Sequence, residues 1–361
     1  MPIREESFRI GCGRYIQGAG YIQKIADEVT RLGRHPILIG DDTTLALTRQ
    51  KIEKSLAAAG LPLEVVLHNG TCNDERAQEI AALLCEKGCD VVIGAGGGVL
   101  MDFAKLCAHF AGVPVINIPT SSATCACYAP LSVRYTPEGR TVGTMHYQKE
   151  VDAVIADTEI LAAQPTRLLL AGVFDALAKF LEIKQRYREG LDAPMGLDYA
   201  FVMAKHSFDV LMQHTAGCIE DMEKGEITKR VEQVIFTALA ATGVISGIAR
   251  GSNQCALAHK LYETTRALYP ERAKPYLHGE IVGVGLLLQN HFNGELAYNA
   301  PLLDLMQKNG MPCCVGDVGV EKTPEIFEEY YTRICNSSAI NKDDAAECAR
   351  FRKSLQYLFS L

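Results

Sequence analysis

Three things are missing from this sequence of 361 residues. There is no cluster of lysine and arginine. With 43 acidic against 36 basic residues the formal net charge is −7, and nothing forms the basic stripe by which nucleic acid is held. There is no apolar run suited to a membrane: the uncharged stretch VIFTALAATGVISGIA at 234–249 is too short and too interrupted by glycine to span one. The opening MPIREESFRI lacks the apolar centre of a secretory signal. Nor is there a CxxC pair. The thirteen cysteines are odd in number and scattered, partly as Cys125/Cys127 and Cys313/Cys314. That usage fits reduced thiols packed as small hydrophobes rather than a disulfide framework or a zinc knuckle. A cytoplasmic protein with small-molecule partners, and no nucleic acid or membrane, is the expectation.

What is present is ordinary globular composition, 48% hydrophobic and 22% charged, in a chain long enough for two domains. Up to about residue 160, short β-like runs alternate with helical patterns. The runs are HPILIG (35–40), LEVVLH (63–68), DVVIGA (90–95), VPVINIP (113–119) and DAVIAD (152–157). Between them IQKIADEVTRLG, LTRQKIEKSLAAAG, AQEIAALLCEKG and VLMDFAKLCAHFAG carry helical periodicity and end near glycine. Alternation of this kind predicts a parallel sheet covered on both faces. Beyond that point the strand signal fades, and periodic segments at 196–216, 229–249, 253–267 and 279–293 predict a helical half. The expected division is residues 1–160, an α/β parallel-sheet nucleotide-binding domain, and residues 161–361, an all-α metal- and substrate-binding domain.

The stretch IGAGGGVLMDFAK (93–105) joins a strand to a helix through Gly94 and Gly96 to Gly98. Such a turn aims free backbone N–H groups and the positive end of a helix dipole at one spot, which suits a pyrophosphate. It is not the usual dinucleotide fingerprint, because G-x-G-x-x-G starting at Gly94 would require glycine where Val99 stands.

GGGVLMDFAK resembles the GGGxxxDxxK motif of the iron-containing alcohol dehydrogenase and glycerol dehydrogenase superfamily, which also includes dehydroquinate synthase. GRYIQGAGYIQKIADEV looks like its opening hairpin and first helix, and VINIPTSSATCACYAPLSVRY (115–135) resembles its nicotinamide-covering segment. LLAGVFDALAKFLE, ALAHKLYE and YLHGEIVGVG follow in the same order. The resemblance implies a dehydroquinate synthase-like fold, a homo-oligomer and an alcohol dehydrogenase active on CH–OH groups.

Asp175 lies on one expected helix, His259 on a second that Ser252 would cap, and His278 at the start of a third. One carboxylate and two imidazoles suit Zn²⁺ or Fe²⁺ with positions left for water and a substrate oxygen. The resemblance assigns these three residues as metal ligands and so as the catalytic set. A metal there would polarise the substrate oxygen and lower the hydroxyl pKa, so that no strong protein base is needed. On the cofactor side the resemblance places Asp41 at the adenosine ribose, where with Asp42 it favours NAD over NADP without excluding the latter. It places Gly97, Gly98 and Val99 at the pyrophosphate, and Asp102, Thr120, Leu131 and Tyr135 at the nicotinamide end.

Two departures bear on substrate. Cys125 stands where glycerol dehydrogenases carry an aspartate that holds glycerol hydroxyls, and its surroundings resemble the hydroxycarboxylate dehydrogenase branch, whose members reduce 2-oxo acids. Lys179, four residues after Asp175 on the same helical face, replaces the histidine ligand of iron-containing alcohol dehydrogenases. Its ammonium is open to a substrate carboxylate, to Asp175 or to solvent. Phe174 adds bulk where the family often has glycine. A dehydrogenase acting on a small 2-hydroxy/2-oxo acid or secondary alcohol is the first reading, with glycerol as the alternative substrate. A dehydroquinate synthase-like lyase and a binding protein without catalysis are the further alternatives.

Overall fold

Aliphatic and β-branched runs bounded by polar turns build a six-stranded sheet in which every pairing is parallel, in the order Tyr15–Gly18, Ala153–Asp157, Val115–Pro119, Val91–Gly96, Pro36–Gly40 and Glu64–Leu67. The computed structural model describes residues 10–187, 194–249 and 254–361. In chain order the sheet unit contains β1 (Tyr15–Gly18), α1 (Ile25–Leu32), β2 (Pro36–Gly40), α2 (Asp42–Ala58), β3 (Glu64–Leu67), α3 (Asp74–Lys87), β4 (Val91–Gly96) and α4 (Gly98–Ala111). It continues with β5 (Val115–Pro119), β6 (Leu131–Tyr135), β7 (Thr141–His146), β8 (Ala153–Asp157) and α5 (Thr158–Ala162). Strands β2, β4, β5 and β8 are buried along their whole length, whereas β1 and β3, the two edges, are half-buried. Ile22, Ile25, Leu38, Ile93, Ile116 and Ile155 belong to the core that this arrangement closes.

The helical unit holds α6 (Thr166–Arg186), the first part of α7 (Met195–Glu223), the end of α9 (Thr242–Ile248), α10 (Leu257–Leu268), α11 (Pro270–Ala273), α12 (His278–Asn293), α13 (Asn299–Lys308), α14 (Pro324–Cys335) and α15 (Ala345–Ser360). Helix α8 (Lys229–Phe236) belongs to the sheet unit. The α/β and all-α halves expected from the sequence are therefore both present.

Their extents differ from a cut after residue 160. Among the described residues, one compact unit is Ile10–Pro165 with Gly217–Val244, and the other is Thr166–Ala216 with Ile245–Leu361. A cut at 160 would divide α5, whose first turn is capped by Asp157 of β8. Residues 217–244 join the sheet because α8 lies beside β1: Gln17 Nε2 donates to Glu232 O at 2.8 Å, and the Tyr15 and Phe236 rings meet edge-on at 5.7 Å.

Three local readings also change. The stretch 13–29 contains no hairpin. The Asp157 carboxylate accepts the N–H groups of Gly20 and Ile22, which turns the chain into a 3₁₀ segment (Tyr21–Lys24) before α1, and β1 pairs in parallel with β8. A hairpin does form later, between β6 and β7, in a segment not read as strand. The periodic run 229–249 is broken by a π-helical turn at Thr237–Ala241, where Thr242 Oγ1 donates to Thr237 O five residues back at 2.8 Å. That run is long and apolar enough to cross a membrane by length and composition, yet more than half of it is buried inside the protein. None of the thirteen cysteines is in a disulfide.

Candidate active site

Helix α6 is apolar along most of its length, yet it carries Asp175, Lys179 and Glu182 at spacings of four and three, one stripe of buried ionisable groups. Helix α12 brings His278 to this stripe. A Cβ on Gly279 would stand 1.7 Å from Ala171 O, and one on Gly285 2.7 Å from the Ala258 backbone, so α12 touches the backbones of both α6 and α10. Only glycine permits that approach. The start of α12 is fixed by Glu280, which accepts from Leu277 N at 2.7 Å and takes the fork of Arg167 at 2.6 and 2.7 Å. His278 is the first residue of that helix.

His259 sits in the first turn of α10. The proposed cap Ser252 lies outside the described residues; α10 begins at Leu257, and a carboxylate from α6 serves its N-terminus instead. Glu182 Oε1 accepts from Ala256 N at 2.7 Å and His259 N at 2.9 Å, while Oε2 lies 2.5 Å from His259 Nδ1. Glu182 thereby satisfies orphan helix donors and fixes the imidazole tautomer at once. With Nδ1 engaged, Nε2 is the ring atom that faces Asp175.

The three residues read as ligands do converge. Asp175 Oδ1 lies 3.3 Å from His259 Nε2 and 3.6 Å from His278 Nε2, and the three ligand atoms fall within 4.8 Å of one another. That oxygen is buried and makes no hydrogen bond of normal geometry, although donors surround it. A buried acceptor left in this state between two imidazoles fits a divalent cation. The partner carboxylate of His259 completes the carboxylate–histidine–metal arrangement.

Lys179 is the fourth group. Its side chain is 5% exposed and its Nζ lies 3.3 Å from the same Asp175 oxygen, so the head does not reach solvent. Burial alone would neutralise Asp175; the Lys179 ammonium and the two imidazoles outweigh it and hold the carboxyl well below its ordinary range. Burial likewise opposes the charge of His259, but Cys255 and Glu182 beside it keep the imidazole protonated to well above its ordinary value. At His278 burial prevails and the pKa is lowered.

The glycine turn belongs to the sheet unit. Gly97 is the N-cap of α4 with no side-chain cap, and a Cβ built on it meets nothing within 4 Å. Gly96, by contrast, is needed for packing, since its Cβ would fall 2.3 Å from Leu100 Cδ1. Gly98 is half-buried and Val99 is 45% exposed beside the same uncapped helix start. An open, donor-rich turn results, as anion binding requires.

Other expected cofactor residues have structural roles. Asp41 is the N-cap of α2: its carboxylate accepts from Thr44 N at 2.7 Å and Thr44 Oγ1 accepts from Asp41 N. Asp102 is buried, with Oδ2 accepting from Val133 N at 2.9 Å and Oδ1 2.8 Å from Lys105 Nζ. Oδ2 thereby holds β6 in place, while Oδ1, beside the Lys105 ammonium, makes no hydrogen bond of normal geometry. Leu131 and Tyr135 are the two ends of that strand, Thr120 donates its N–H to Gly96 O at 2.9 Å, and all three are half-buried. Cys125 opens the turn at 125–128, where its carbonyl accepts from Tyr128 N and Ala129 N.

Comparison with known proteins agrees with this architecture. Residues 12–158 match the family described as iron-containing alcohol dehydrogenase. A glycerol dehydrogenase of Escherichia coli O6:H1 is 33% identical over 280 residues, covering 77% of this chain and 75% of its own. Hydroxycarboxylate dehydrogenase A of Escherichia coli K12 is 32% identical over 329 residues, covering 89% and 88%. The crystal structure of a probable glycerol dehydrogenase from Sinorhizobium meliloti superimposes with a TM-score of 0.82 at 25% identity, covering 99% of each chain. This chain belongs to the iron-containing alcohol dehydrogenase family and is an oxidoreductase of its glycerol dehydrogenase-like branch.

Proposed function

We propose that the protein transfers a hydride between NAD(H) and the carbon bearing the oxygen of a small 2-hydroxy/2-oxo acid, using one divalent cation, zinc or iron, held by Asp175, His259 and His278. The observation that carries the substrate class is the buried ammonium of Lys179 inside the ligand cluster. The relatives named as glycerol dehydrogenases support a polyol as the second reading.

The bound cation supplies Lewis-acid polarisation of the substrate oxygen. The chain's own groups do the rest. Lys179 presents a positive charge beside Asp175, on which a substrate carboxylate can be anchored and the reacting carbon oriented. Glu182 holds His259 in the tautomer that leaves Nε2 available. Cys125 removes the carboxylate that the resemblance places on glycerol hydroxyls, and with it a repulsion against an anionic substrate. The open turn at Gly97 to Val99 takes the pyrophosphate, Asp41 faces the ribose and favours NAD over NADP, and Thr120, Leu131 and Tyr135 line the nicotinamide end. We take the working form to be a cytoplasmic homo-oligomer, as is usual in this family.

Lys179→Met tests the substrate assignment. A desolvated ammonium–carboxylate contact contributes on the order of 1.5 to 3 kcal/mol. The variant is therefore expected to lose roughly ten- to a hundredfold in kcat/KM for a 2-oxo acid, and much less for an uncharged aldehyde. Equal losses on both would return the enzyme to the polyol reading.

A further inference from the structure

One carboxylate oxygen faces two kinds of positive charge. Asp175 Oδ1 is 3.3 Å from Lys179 Nζ and also 3.3 Å from His259 Nε2, with His278 Nε2 at 3.6 Å. The histidines and Asp175 are the set that fits a divalent cation, while Lys179 already satisfies part of the negative charge such a cation would use. Asp175 and Glu182 bring two negative charges to this buried cluster, and the lysine cancels one of them. Solvent screens the effect little, because the side chains of Asp175 and Lys179 are 8% and 5% exposed.

We infer that Lys179 makes cation binding at Asp175, His259 and His278 depend on a carboxylate ligand. The ammonium opposes the cation while no ligand carboxylate lies beside it, and a ligand carboxylate that pairs with it relieves that opposition. By linkage the effect is mutual: the cation strengthens carboxylate binding by the factor by which the carboxylate strengthens the cation. This deepens the proposed function and rests on it for the carboxylate. The consequence is that the cation is held firmly only when an acid substrate is present, whereas a neutral alcohol gains no such help.

The test uses zinc binding rather than turnover. Metal-free full-length protein, prepared by dialysis against a chelator, is titrated calorimetrically with Zn²⁺ as wild type, Lys179→Met and Lys179→Arg. Each titration is run alone, with isobutyrate, and with isobutyramide as the uncharged counterpart. Isobutyrate carries no hydroxyl or oxo group, so it is a poor chelator of zinc in solution. Lys179→Met is expected to bind zinc on the order of tenfold to a hundredfold more tightly than wild type, and Lys179→Arg close to wild type. Isobutyrate should tighten zinc binding to wild type by roughly five- to fiftyfold more than it does in Lys179→Met, and isobutyramide should do so in neither. Should Lys179→Met not fold, Lys179→Gln removes the same charge with a polar side chain.

A folded Lys179→Met or Lys179→Gln variant whose zinc affinity equals or falls below that of wild type overturns the inference. So does an isobutyrate effect of the same size in the variant and in wild type. Either result leaves the turnover preference for 2-oxo acids to be decided by its own assay. Loss of that preference, in turn, does not alter the zinc comparison between wild type and Lys179→Met, so the two failures are told apart.

Discussion

Glu182 Oε2 and His259 Nδ1 stand 2.5 Å apart with both side chains buried, one on α6 and the other on α10, 77 residues away in sequence. The pair joins two helices and sets the ring atom available to a cation. Glu182→Gln keeps the shape but loses the charge, and it should weaken zinc affinity by roughly ten- to a hundredfold. Glu182→Ala also removes the acceptor for Ala256 N and His259 N, and should cost about 3 kcal/mol in denaturant-induced unfolding. Unchanged zinc affinity in Glu182→Gln would show that the carboxylate only caps the helix.

The same pair gives a pH dependence with a definite sign. The metal-free His259 has its folded pKa raised, so its contribution to stability is fully present below about pH 6.5, the ordinary histidine value, and is lost as pH rises through the raised folded pKa. A cation requires the neutral imidazole, so zinc affinity should rise across that window, with proton release on binding. Calorimetric titrations in buffers of different ionisation enthalpy measure the released proton directly. Zinc affinity that stays flat or falls as pH rises through this range would contradict the assignment of Nε2 as a ligand.

At the glycine turn, binding and stability separate. A Cβ on Gly97 meets open space, so Gly97→Val should change unfolding stability by only about 0.5 kcal/mol while abolishing measurable NAD affinity in a fluorescence titration. Asp41 needs a gentler variant, because its side chain caps α2. Asp41→Ser keeps a capping oxygen and removes the charge, and should bring NADP affinity closer to that of NAD. Wild-type nucleotide binding in both variants would remove the cofactor from this turn.

Much of this was readable because it is local. The β2, β4, β5 and β8 runs are continuous aliphatic stretches, and buried parallel strands need nothing else. Asp175, His259 and His278 were found through motifs, and their convergence required packing that sequence spacing does not encode. Glu182 was missed, although a clue existed: it is the third ionisable residue on one face of an otherwise apolar helix, seven positions after Asp175. Asp41, which the resemblance places at the ribose, also has a D-x-x-T spacing with Thr44 that matches a helix cap, and the cap is formed. The β6 strand is hard to read because its backbone is met by side chains distant in sequence, Asp102 at Val133 N and Lys105 at Leu131 O.

Lys105 supplies the sharpest stability prediction. Its buried ammonium lies 2.8 Å from Asp102 Oδ1 and donates to Ala126 O at 2.7 Å, to Ala129 O at 2.9 Å and to Leu131 O. Lys105→Met strands the Asp102 charge and three carbonyls, and should cost about 3 to 5 kcal/mol in thermal or denaturant unfolding. The double variant Asp102→Asn/Lys105→Met should recover part of that loss. A single variant within about 0.5 kcal/mol of wild type would mean that the segment 126–133 is held by other contacts.

The central claim, hydride transfer to an acid anchored on Lys179, is tested most directly by following NADH absorbance with wild-type protein and a matched panel. The panel contains a short 2-oxo acid, dihydroxyacetone and a simple aldehyde of similar size, each supplied with zinc or ferrous iron. The account predicts that kcat/KM for the 2-oxo acid exceeds that for either neutral carbonyl by roughly ten- to a hundredfold. A higher kcat/KM for dihydroxyacetone than for every acid in the panel would contradict it.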